Sequence, residues 1–132
     1  MIHYYLQYII NTKTVKSFNL KKFINIYNVE KSGKTKIILY KSVTDSYKDF
    51  HNGTINYKVG TTVTCPDWNN EFTGECGYGL HLCGKPEQTQ TFNKGKILKC
   101  EVAIKDIVVH NNPKYPTKVR CRKVKVLEEV KL

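Results

Sequence analysis

Arginine is scarce in this chain, and carboxylates are outnumbered two to one by basic side chains. Only Arg120 and Arg122 stand beside 20 lysines, and 11 Asp and Glu face 22 basic side chains, for a net charge of +11. A surface built to grip phosphates normally favours Arg, whose planar fork binds them bidentately. Lysine excess with frequent Ile, Asn and Tyr fits an AT-rich coding sequence as well as a polyanion partner. No apolar run reaches the 18 residues a membrane helix needs. The five cysteines are an odd number and contain no C-x2-C pair, which excludes the usual secreted disulfide frameworks and the common zinc knuckle. MIHYYLQYIINTK lacks a basic leader and a small-residue cleavage site, although the first 29 residues share the acid-poor character of a transit segment. The expectation is a reduced, cytoplasmic protein with no membrane partner, in the host cell interior if viral.

What remains is an ordinary globular composition, 40% hydrophobic and 25% charged. The charge is uneven: residues 1–36 carry +6, residues 37–93 carry −2 and residues 94–132 carry +7. The expected organisation is an N-terminal extension over 1–35 and one domain over 36–132. Within the extension, Leu20, Phe23, Ile24 and Tyr27 fall at helical spacing and predict a helix over about 19–28. A hairpin across Asn11-Thr12-Lys13 is the alternative.

Lys36 to Lys41 is a continuous apolar run between polar ends, the pattern of a central strand covered on both faces. After a polar loop, Ile55, Tyr57 and Val59 alternate with polar residues, and Thr61 to Cys65 forms an extended piece that Pro66 ends. Asp67 to Gly77 reads as a loop from which Trp68 packs back onto the core. Gly79 to Cys83 is a short strand. Pro86 then opens a helix running to Phe92 and stopped at Asn93-Lys94-Gly95. Leu98, Cys100, Val102 and Ile104 share one face of a half-buried strand, and Ile107 to Val109 continues as an apolar run. After a loop over Asn111 to Pro116, Lys118, Arg120 and Arg122 point outward against Val119 and Cys121. The parity slips at Arg122-Lys123, where a bulge would keep the basic side chains on one face. The fold class is α+β: a mostly antiparallel or mixed sheet with one or two short helices.

The stretch from Cys65 to Phe92 concentrates the chemistry, with the only Trp, three Cys, four Gly and His81. Cys65, Cys76, His81 and Cys83 are zinc-ligand types, yet their spacing matches no structural zinc pattern, so no metal or other cofactor is expected. Cys76 or Cys83 beside His81 or His51 would be the parts of a thiolate nucleophile, against which stands the commoner fate of buried thiols as small apolar groups. Glycines 77, 79 and 84 would let a ligand approach the backbone, and the helix beginning near Pro86 could hold an anion at its N-terminus. Tyr40, Lys41, Tyr78, Gly79 and His81 are the expected wall of a pocket for a nucleotide-like or anionic molecule. The alternatives are a nucleic-acid module using Lys118, Arg120, Arg122 and Lys125, and a non-enzymatic, viral-type structural or interaction protein. Nothing in the sequence specifies an oligomeric state.

Val59-Gly60, Thr64-Cys65-Pro66-Asp67-Trp68, Glu75-Cys76-Gly77, Gly79-Leu80-His81-Leu82 and Lys118-Val119-Arg120-Cys121 together resemble a family of short uncharacterised domains of phages, large DNA viruses and bacteria. That resemblance spans about residues 36–130 and implies no activity. Gly79-Leu80-His81-Leu82, the helix to Phe92 and Glu101-Val102-Ala103 are also similar in type and order to motifs of ADP-ribosyltransferases. This second resemblance implies that His81 takes the place of a Tyr that packs against nicotinamide. It further implies that Tyr40-Lys41 stands where those enzymes carry a His or Arg. No Glu of the last strands matches the catalytic one, which implies binding without transfer.

Overall fold

The computed structural model describes residues 12–69, 78–109 and 116–132, with the side chains of the first helix described from Asn19 onward. The N-terminal hairpin alternative, Cys76 and most of the two loops expected after Asp67 and Asn111 lie outside the described residues. In order come α1 (Thr12–Ile26), β1 (Lys36–Val43), β2 (Thr62–Thr64), β3 (Leu80–Cys83), α2 (Pro86–Thr89), β4 (Lys96–Ala103), a 3-10 turn (Ile104–Asp106), β5 (Ile107–Val109), β6 (Lys118–Cys121) and β7 (Lys123–Val130). The strands form one antiparallel sheet in the order β2-β7-β4-β1-β3-β6-β5, so the fold is α+β.

The continuous apolar run of β1 takes the central position expected of it, with Ile37, Ile38 and Leu39 all buried. β4 pairs with β1 along eight residues and contributes Leu98, Cys100 and Val102 to the core. Ile104 has left the strand and opens the 3-10 turn.

The slip in parity at Arg122 has a larger meaning than a bulge. β6 and β7 are consecutive in the chain, yet they occupy opposite halves of the sheet with only Arg122 between them. A sheet can satisfy that connection only by curling until its halves meet. The Arg122 N–H donates to the carbonyl of Asp106, just before edge strand β5, and its carbonyl accepts from the N–H of Cys65, just after edge strand β2, both at 2.8 Å. Both edges therefore converge on one residue, and the enclosed side is filled by Leu39, Leu80, Leu98, Val119, Val124 and Val126.

The described part of the extension expected over 1–35 packs on the sheet from Leu20 onward. Leu20, Phe23 and Val29 belong to the same buried cluster as the strands. Gly84 allows this approach, because a Cβ there would lie 3.0 Å from Val29 and 3.4 Å from Phe23. The predicted helix is real and begins earlier, at Thr12.

Candidate functional site: a cleft where the sheet splits

β1 and β3 touch at a single register pair, Tyr40 opposite Cys83, and then diverge. Beyond that point the backbone ladder is open, and a polar side chain takes over: Lys41 Nζ donates to the carbonyl of His81 at 2.9 Å. The ammonium also lies 5.2 Å from the centre of the Tyr57 ring. Lys41 alternates with Leu39 and Val43, so the strand period sends it to the enclosed side, where it is half-buried. Burial holds its pKa below the usual lysine value, with Cys100, Asp49, Cys83 and Cys121 acting weakly in the other direction.

The divergence opens a cleft of about 560 Å³, within the range of roughly 300–1,000 Å³ typical of small-molecule sites. Tyr40, Lys41, Tyr78, Gly79 and His81 all line it, so the five expected pocket residues meet although 37 positions separate Lys41 from Tyr78. His81 is partly exposed along the cleft, but both of its ring nitrogens are shielded from solvent. The loop after β1 closes the opposite side with Asp49, Phe50, His51 and Tyr57, residues that sequence reasoning did not assign to the site. Of these, sequence reasoning offered His51 only as a partner for a thiolate, and Tyr57 was legible in its alternation but not in its 1% exposure.

The remaining expectations divide. Lys118 lines the cleft, with its ammonium 5.3 Å from the Phe92 ring centre. Arg120 does not point to solvent as its parity suggested: it is fully buried. Its Nη1 donates to the carbonyls of Asn69 and Tyr78, both at 2.7 Å, and its guanidinium lies 5.2 Å from the centre of the Trp68 ring. Strand parity sends it away from the aliphatic core, but the chain around Trp68 and Tyr78 covers that outer face. Only Arg122 and Lys125 of the nucleic-acid set are exposed, and Lys125 pairs in register with Glu101. Trp68 does pack against the core.

Gly79 is required by this arrangement, since a Cβ there would sit 2.9 Å from the Arg120 Cβ. Tyr78 beside it has φ of 52°, an uncommon conformation for a bulky residue, and its carbonyl is one of the two that Arg120 holds.

α2 is a single turn, Pro86–Thr89, in place of a helix reaching Phe92. The Lys85 N–H at its start is taken by Gln88 Oε1 at 3.1 Å and is not available to an anion at that terminus. Of the two thiolate candidates, Cys76 lies outside the described residues and Cys83 is pushed by burial up to about 11, as Cys100 is pushed up to about 12 and Cys121 well above the usual thiol value. No group of three or more His, Cys, Asp and Glu able to hold a metal occurs among the described residues.

Two carboxylates line the cleft. Burial alone would raise Asp49, but the N–H groups of Asn52, Ile55 and Gly53 hold its pKa below the ordinary value, and its two oxygens accept from Ile55 and Asn52 at 2.8 and 3.1 Å. Asp67 accepts from the Cys65 thiol at 3.2 Å. Glu128 and Glu129 of β7 are outside the lining, and Glu129 is bonded by the Tyr47 hydroxyl at 2.6 Å. Comparison with protein-family models, curated proteins and solved structures finds no match for this chain. No helix among the described residues is long and apolar enough to cross a membrane.

Proposed function

We propose that the cleft between β1 and β3 binds an anionic, ring-bearing small molecule of the nucleotide type. The supporting observation is the convergence of Tyr40, Lys41, Tyr78, Gly79 and His81 on one cavity of suitable size. The lining supplies what such a ligand needs: ammonium groups from Lys41 and Lys118 for the anion, and the rings of Tyr40, Tyr78, Phe50 and His81 for a planar base. Phe50 and Tyr78 remain 40% and 43% exposed, as flanking rings available for stacking would be.

Binding is favoured over group transfer. A transferase working through an oxocarbenium-like centre needs a carboxylate aimed at the ribose. Asp49 is committed to backbone amides, Asp67 accepts from the Cys65 thiol, and the acidic pair on β7 lies elsewhere. The nucleic-acid alternative loses support from the burial of Lys118 and Arg120. In thermal unfolding, saturating ADP-ribose or NAD is expected to raise the midpoint of the wild-type protein, with about 2.7 kcal/mol of added stability at a hundredfold excess over Kd. His81→Ala is expected to lose that stabilisation. A salt-sensitive shift with DNA and RNA, and none with either nucleotide, would transfer the function to the exposed strand β7.

A further inference from the structure

Lys41 is placed differently from the exposed lysines. Its amine stands at the split of the sheet, held by a backbone carbonyl and an aromatic face, and no carboxylate is paired with it among the described residues. The titratable groups facing it are the thiols of Cys83 on β3, Cys100 on β4 and Cys121 on β6, with Asp49 from the loop after β1. Burial keeps those thiols protonated at neutral pH, and the Asp49 carboxylate is spent on backbone N–H groups. An amine in such surroundings opens onto a cavity large enough for a small molecule, with the ammonium of Lys118 also in the lining. Lysines desolvated in this way are the ones proteins use for imine chemistry.

Resting on the reading of this cleft as an anion site, we propose that Lys41 is a nucleophile that condenses with the aldehyde of an anionic carbonyl compound. Lys118 would hold the anionic group. The lone pair of neutral Nζ attacks the carbonyl carbon and forms the C–N bond, while the C–O π pair moves to oxygen. A proton passes from nitrogen to that oxygen to give a carbinolamine. Loss of the hydroxyl with a second nitrogen-bound proton, as water, leaves the imine. No oxidation or reduction is involved, so no further reactant is required.

The probe is pyridoxal 5′-phosphate, with sodium cyanoborohydride to reduce any imine to a stable secondary amine, followed by peptide mapping of the intact wild-type chain. Exposed Lys21, Lys22 and Lys58 serve as internal references. Lys41 is expected to be labelled several-fold faster than these at neutral pH. Its preference should widen as pH is lowered, and excess pyridoxine 5′-phosphate, which carries an alcohol in place of the aldehyde, should suppress it. Labelling at Lys41 no faster than at the reference lysines overturns the proposal. If pyridoxine 5′-phosphate still stabilises the protein in that case, the cleft stands as an anion site and only the imine chemistry falls. If it does not, both fall.

Discussion

Lys41 is a polar residue at a position whose period demands an apolar one, and its energetics follow from that conflict. Its pKa is lowered on folding from an ordinary 10.5, so the unfolded chain binds a proton that the native state gives up more readily. Stability from this group therefore rises with pH between the folded pKa and 10.5, and the burial cost is fully present once pH falls below the folded value. Lys41→Met removes the titration. The stability of that variant relative to wild type is expected to be greater at pH 7 than at pH values near 10.5, measured by urea unfolding at both. A gap that does not change with pH would mean the ammonium is solvated. This residue became a pocket candidate only through the resemblance that set Tyr40-Lys41 where ADP-ribosyltransferases carry a His or Arg, since strand patterning marked it merely as the polar end of an apolar run. Its bond to His81 was not legible, because that depends on how far β1 and β3 separate.

Among the elements, the segment entering β3 is where local sequence preference and the folded structure disagree most. Tyr78 is held at positive φ, Gly79 lies against the Arg120 side chain, and the Arg120 guanidinium draws the carbonyls of Asn69 and Tyr78 together. Arg120→Met would leave two carbonyls without their charged donor, at a cost of about 2–4 kcal/mol. Amide hydrogen exchange is expected to accelerate at Asn69, whose N–H donates to the Tyr78 carbonyl at 3.4 Å, and little at Leu98 in the centre of β4. Alternation on β4 and the unbroken apolar run of β1 were readable because each strand has one dominant environment. Arg120 was misread because parity says which way a side chain leaves the sheet, not whether another segment lies over it. The same limit left open where α1 docks: its helical spacing was legible, but its packing beside Gly84 and β5 was not.

At the scale of the whole molecule, two features integrate the fold: the closure at Arg122, and the packing of the N-terminal region into the strand core. Removing residues 1–35 would strip Leu20, Phe23 and Val29 from that core, at about 1.5–3 kcal/mol each. Such a loss is comparable with the total stability of many small domains. The truncated chain is expected to lose its cooperative thermal transition, whereas a separate extension could be cut away without effect. Closure also explains why a continuous seven-stranded sheet has an opening at all: the curl leaves β1 and β3 joined at one register pair, and the cleft occupies the gap.

That cleft as a binding site is the central claim, and amide chemical-shift mapping during titration with ADP-ribose tests it most directly. The expected result is saturable shifts at Tyr40, Lys41, Tyr78, Gly79 and His81, with Arg122 to Lys125 unmoved. Shifts confined to Arg122 to Lys125, or none at saturating ligand, would contradict it.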